Sequence, residues 1–179
     1  SPSPSATRPA TGARCLVVAG PPGAGKTTLA AHAAAHLKAA LVDKDALEWP
    51  LANCALTAAG AAKDDAFYNS QIKPRAYETC FRVASQNCAS GIDVVMVAPF
   101  TSYVKDATFL ETLSNRFGAR VALLWVFADP EVLGRRQRSR KADQDTSVKV
   151  TLPARPNCPH VLVDTSSIQE AEMRSTAID

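Results

Sequence analysis

The 179-residue sequence has little from which to build a disulfide framework, a metal site or a membrane span. Its five cysteines, at positions 15, 54, 80, 88 and 158, are odd in number and include no C-x-x-C pair. Neither a disulfide set nor a zinc site is indicated, and reduced, partly buried thiols are expected. No apolar run approaches the roughly 20 residues that cross a bilayer, so no membrane partner is expected. The opening segment, Ser1-Pro-Ser-Pro-Ser-Ala-Thr-Arg-Pro-Ala-Thr-Gly12, lacks the apolar stretch of a signal peptide. It has almost nothing to bury, so residues 1–13 are expected to form a disordered tail, in a cytoplasmic protein. Charge is short on both signs: 20 Lys and Arg stand against 17 Asp and Glu, a net of +3 that is too mild to argue for a nucleic-acid partner.

What is present is the composition of a globular domain, 46% hydrophobic and 21% charged, with length for one sizeable core, so residues 14–179 are read as one domain. Short apolar runs at 15–19, 41–42, 92–98, 121–128 and 160–164 read as strands, most of them covered on both faces. Helices are expected over 26–40, from about Leu47 to Ala59, from Pro74 to about Gly91, over 106–117, from Pro130 into the basic stretch, and over 168–176. In the second of these, Pro50 fits the first turn or a kink. In the third, Tyr77, Phe81, Ala84 and Cys88 share one face, and in the fourth Phe109, Leu110 and Leu113 turn inward. Asp129-Pro130 opens the fifth with a cap and a first-position proline. Residues 60–70 read as a loop. Strands alternating with helices place the chain in the α/β class, a five-stranded parallel sheet in a three-layer α/β/α arrangement.

The strongest chemical signal lies between the first strand and the first helix. Gly20-Pro-Pro-Gly23-Ala24-Gly25-Lys26-Thr27-Thr28 fits G-x-x-x-x-G-K-[ST], the phosphate-binding P-loop. Glycines let successive N–H groups converge on an anion, and a helix N-terminus points the positive end of its dipole at the same place. Lys26 brings a mobile charge to the β- and γ-phosphates of ATP, and the Thr27 hydroxyl is a ligand for Mg²⁺. The bland alternative, a glycine-rich turn with an accidental Lys-Thr, does not account for the strand before it and the helix after it.

Other candidates are less specific. Asp43-Lys44-Asp45 follows the second strand and so emerges at the same sheet edge as the P-loop. A carboxylate there can take the proton of a hydroxyl attacking the γ-phosphate, or it can cap the following helix. Arg135, Arg136, Arg138, Arg140 and Lys141 put five cations in seven residues, too many for one helix face; a solvated helix or an RNA-facing patch is the alternative to a phosphate lid. Trp49 and Tyr103, after the second and third strands, line an acceptor pocket or pack in the core. His32 and His36 stand at i,i+4 but have no third metal ligand. The third strand ends in Ala98-Pro99-Phe100, where many P-loop proteins carry an Asp for Mg²⁺. The metal must then rest on Thr27, phosphates, water and Asp43 or Asp45, which argues against a AAA+ motor. The absence of N-K-x-D argues against a guanine-specific GTPase.

With these segments in place, the stretch from Arg14 to about Asp164 resembles the small, AAA-like P-loop kinases of the zeta-toxin, chloramphenicol-phosphotransferase and gluconate- or shikimate-kinase type. The likeness is carried by the GPPGAGKTT loop, LVDKDAL (41–47) and DPEVLGRRQRSR (129–140). It implies an ATP-dependent phosphotransferase acting on a hydroxyl of a small molecule. In that reading Asp45 is the base, Asp43 orients a neighbour or helps hold Mg²⁺ through water, and Arg75, beside Tyr77, faces the acceptor. A lid of about residues 135–158 brings arginines, Arg136 and Arg140 among them, over the transferring phosphate. Asp164-Thr165-Ser166 passes near the adenine, chiefly by backbone. A nucleotide, nucleoside or nucleotide-sugar kinase, a polynucleotide kinase and a non-catalytic ATP switch are the competing readings. Partners are ATP and a small acceptor; oligomeric state is not encoded legibly.

Overall fold

Backbone amides cannot be buried unpaired, so wholly apolar runs must pair with one another inside a sheet. In the computed structural model, which describes residues 12–63, 65–140 and 152–167, five such runs do so. β1 (Arg14–Ala19) lies in the middle. β3 (Val94–Val97) pairs with it on one side and β4 (Arg120–Phe127) on the other, while β2 (Ala40–Asp43) and β5 (Val161–Asp164) form the edges. All pairs are parallel, in the order β2-β3-β1-β4-β5.

The period of two along each strand sorts side chains into two cores. Cys15, Val17, Met96, Leu123 and Trp125 pack with α3 (Lys73–Ala89) and α4 (Phe109–Phe117). Val18, Val95, Val97 and Val126 pack with α1 (Lys26–Leu37) and α5 (Pro130–Arg140). The expected inward residues of the third helix, Tyr77, Phe81, Ala84 and Cys88, are all buried, as are Phe109 and Leu113, with Leu110 packed against the same core.

Several boundaries differ from expectation. α1 stops at Leu37, because Lys38 turns left-handed (φ 51°) and its N–H closes the helix on Ala34 and Ala35. α2 (Lys44–Ala59) begins at once after β2, which puts Pro50 in its interior rather than its first turn. The expected loop over 60–70 is helical from residue 66, through a π-turn (Tyr68–Ile72) into α3. No periodicity marks that turn in the sequence; burial of Tyr68 beside α2 accompanies it. Ahead of α4 the chain makes a short 3₁₀ turn (Tyr103–Lys105), and Asp106 accepts from the Thr108 N–H and hydroxyl. The tail through residue 11, residues 141–151 of the expected lid and the expected helix over 168–176 lie outside the described residues.

Candidate active site

The P-loop spans the gap between the end of β1 and α1, and its glycines are required by what surrounds them. Gly20 (φ 147°) donates to the Pro99 carbonyl at 3.2 Å, and a Cβ there would overlap the Val126 carbonyl oxygen. Only glycine passes between the ends of β3 and β4. Gly23 (φ 86°) lies under α5, where a Cβ would meet Gln137 Cγ at 3.3 Å and the Leu133 carbonyl at 3.4 Å. Ala24 is fully buried, and its N–H donates to Pro21 at 3.3 Å, closing the loop. Gly25 caps α1 with a left-handed backbone and no side-chain cap, which leaves first-turn amides for an anion. The Lys26 ammonium donates to the Pro21 carbonyl at 2.7 Å, across the mouth of the loop. Thr27 is exposed and Thr28 half-buried beside it.

Behind the loop lies a polar network that sequence reasoning did not assign. Arg136 is buried, and its guanidinium donates to the Thr165 carbonyl at 2.8 Å, to Thr165 Oγ1 at 3.1 Å and to the Gly23 carbonyl at 3.4 Å. The Thr165 hydroxyl reaches the Ala24 carbonyl at 3.0 Å, and Gln137 donates to the Pro22 carbonyl at 2.7 Å. Arg136, expected on a lid over the phosphates, is therefore packed against the outside of the loop. The side chain of Arg140, the other lid candidate, falls outside the described residues.

The second cluster sits where β2 turns into α2. Asp43 accepts the Asp45 N–H at 2.9 Å and is the cap of α2. That fills the capping role which sequence alone left open for Asp45, whose side chain is 67% exposed. Asp43 is level with Val97, and Val97 with Val18 at the end of β1. Two strand spacings, about 10 Å, thus separate this corner from the phosphate loop along the same sheet edge. Lys44, by contrast, is buried; its ammonium bonds Glu48, itself buried, and Asp45 Oδ1 at 2.9 Å. Burial by itself pulls the Lys44 pKa down, but the hydrogen bonds and charges of Glu48 and Asp45 outweigh it and hold the ammonium above the usual lysine range. Burial, then the nearness of the Glu48 carboxylate, raises the Tyr68 phenol. Neither Lys44 nor Glu48 was singled out from sequence. The only signal was their i,i+4 spacing, which ordinarily reads as a solvated pair.

The remaining candidates are placed as follows. Arg75 is exposed and donates to Gln71, to its carbonyl at 2.5 Å and its side-chain oxygen at 3.2 Å, so it braces the π-turn. Tyr103 is half-buried in an aromatic group, its ring centroid 4.9 Å from that of Tyr77 and 5.7 Å from that of Phe109. Trp49 is half-buried under the Lys63 ammonium at 4.3 Å. Cys54 is exposed, the other four cysteines are buried, and none of the five is in a disulfide. Among the described residues, no His, Cys, Asp and Glu group has metal-site geometry, and no helix is long and apolar enough to cross a membrane.

The sequence profile described as AAA domain matches residues 16–155, most of the chain. The chain belongs to the AAA domain family. No curated protein matches it. As a fold, this AAA domain is similar to a candidate kinase from Chloroflexus aurantiacus, at a TM-score of 0.66 and 20% identity over 93% of this chain and 95% of that one. A sugar kinase from a Janibacter species gives 0.52 and 18%, over 92% and 90%. The Mycobacterium tuberculosis APS kinase CysC, solved with AMPPNP and APS, gives 0.54 and 12%, over 93% and 95%. The AAA domain thus shares the nucleotide-binding P-loop fold of small-molecule kinases, with its loop glycines, Lys26 and Thr27 in the order that fold uses.

Proposed function

We propose that this AAA domain is an ATP-dependent phosphotransferase that moves the γ-phosphate to a hydroxyl of a small molecule. The observation that carries the reading is the pairing, along one sheet edge, of an uncapped helix N-terminus beside Lys26 with a solvent-facing carboxylate, Asp45, that is not occupied in capping its own helix. The donor set suits a triphosphate: loop and first-turn amides, one ammonium and one exposed hydroxyl. Thr27 is the residue to hold Mg²⁺, which when bound neutralises phosphate charge.

In this reading the amides of 23–28 and the Lys26 ammonium fix the phosphates of ATP. The Asp45 carboxylate takes the proton of the acceptor hydroxyl as its oxygen bonds to the γ-phosphorus; the bond from that phosphorus to the β–γ bridging oxygen breaks, and ADP leaves. Asp43 orients the corner by capping α2. Tyr103 and the face of α3 form a wall of the acceptor pocket, and Arg140 belongs to a lid. An uncharged polyhydroxy acceptor fits better than a nucleotide or nucleotide sugar. The corner carries Asp43 and Asp45 beside the buried Lys44–Glu48 pair, while Arg75 and Arg136 are bonded elsewhere.

A phosphotransfer screen over sugars, amino alcohols, nucleosides and nucleotides, read as acceptor-dependent ADP release, tests this. Asp45→Asn is expected to lower kcat by about 10²- to 10⁴-fold with ATP affinity unchanged. Tight ATP binding with no acceptor-stimulated turnover would instead support the non-catalytic switch.

A further inference from the structure

The mechanism above leaves a buried ion pair beside the base without a task. Glu48 suffices to neutralise Lys44, since both side chains are 5% exposed and in contact. Yet the same ammonium also reaches 2.9 Å outward to Asp45, whose side chain is 67% exposed. A cation enclosed in protein is thus tied to a carboxylate at the open sheet edge. Its place is set from two sides. Glu48 draws it back along α2, and the Tyr77 ring of α3 lies 5.6 Å from it. A pair needed only to join α2 to α3 has a simpler solution, because apolar residues of similar volume are often as stable as a buried ion pair.

We propose that Lys44, held by Glu48, is a positioning residue for Asp45; the idea rests on Asp45 being the base. Anchoring Oδ1 stops the carboxylate turning about its Cβ–Cγ bond and leaves the second oxygen to take the acceptor proton. An exposed aspartate without that tether samples several rotamers, and misplacement of a reacting group by about 1 Å can cost on the order of 10²-fold in rate.

The test uses the full chain and the acceptor found by screening. Lys44→Met alone strands Glu48 and endangers folding, so the main variant is Lys44→Met/Glu48→Leu, with thermal melting to confirm that it folds. It is expected to bind AMPPNP as the parent does and to lose about 10- to 100-fold in kcat with little change in KM. Lys44→Arg, which keeps a charged donor, is expected to recover part of the loss. In an Asp45→Asn background the same double change is expected to cost nothing further, because the group it serves is gone. An undiminished kcat, or an equal loss in the Asp45→Asn background, overturns the proposal. If Asp45→Asn itself leaves turnover intact, the base assignment fails instead. A crystal structure of the double variant reads the tether without any turnover. Several Asp45 rotamers are expected, and one unchanged, well-ordered rotamer refutes it.

Discussion

Lys26 illustrates how one side chain serves both the folded loop and its ligand. Its ammonium bridges to the Pro21 carbonyl at 2.7 Å, so the charge is already drawn to the loop mouth rather than free in solvent. A hydrogen bond to a charged group contributes about 1.5–3 kcal/mol, so Lys26→Ala is expected to weaken AMPPNP binding by roughly 10- to 100-fold, read by titration calorimetry. At the same scale, Asp43 and Asp45 are chemically alike and two residues apart. The backbone separates their roles, because only Asp43 has its carboxylate on the Asp45 N–H. That division was not legible in the sequence, where either aspartate suits a cap.

At the scale of elements, α5 is a support for the P-loop. Leu133, Arg136 and Gln137 all meet it, and Thr165 at the end of β5 locks both to the loop. Arg136→Met removes the donor to two buried carbonyls and a hydroxyl, and is expected to cost about 2–4 kcal/mol in urea unfolding while also weakening nucleotide binding. A lid arginine would behave oppositely, lowering kcat with stability intact, so the two measurements separate the roles. α2 carries a different defect. Pro50 is exposed and lies in the helix interior, where it has no N–H for the Ala46 carbonyl. Pro50→Ala gives up little packing and is expected to stabilise the protein by about 1–3 kcal/mol, seen as a raised melting temperature.

Across the whole molecule, the two ends of the sheet differ in chemistry. The C-terminal edge carries the phosphate loop and the acidic corner. The opposite edge is tied by Arg14, whose backbone N–H and guanidinium all bond Asp93 ahead of β3, at 2.5–2.9 Å. These bonds, the Arg14 side chain first, hold the Asp93 carboxyl below the usual aspartate range, and Arg116 does the same for Glu78. Because the folded pKa is the lower one, this stability is complete above the ordinary carboxylate range and is lost as pH falls through the folded value. Both pairs lie at the surface, so each contributes little. Asp93→Asn is expected to lower the melting temperature slightly near neutrality and not at all at about pH 2, which flattens the acid limb of a melting-temperature profile.

The apolar runs, the alternation of strand and helix and the phosphate loop were all readable along the chain. Each depends on residues close in sequence: period-two burial, helical faces such as Tyr77-Phe81-Ala84-Cys88, and glycines spaced for a curled backbone. These local preferences were enough to determine five parallel strands and the place of the anion cradle. The tertiary structure alone decided what lies behind and beside that cradle. Arg136 meets Gly23 across 113 residues and Thr165 reaches Ala24 across 141, separations at which no periodicity or spacing carries information. Lys44 is buried because Tyr77 of α3 and Glu48 lie against it, for burial is a property of what packs against a residue and not of the residue itself.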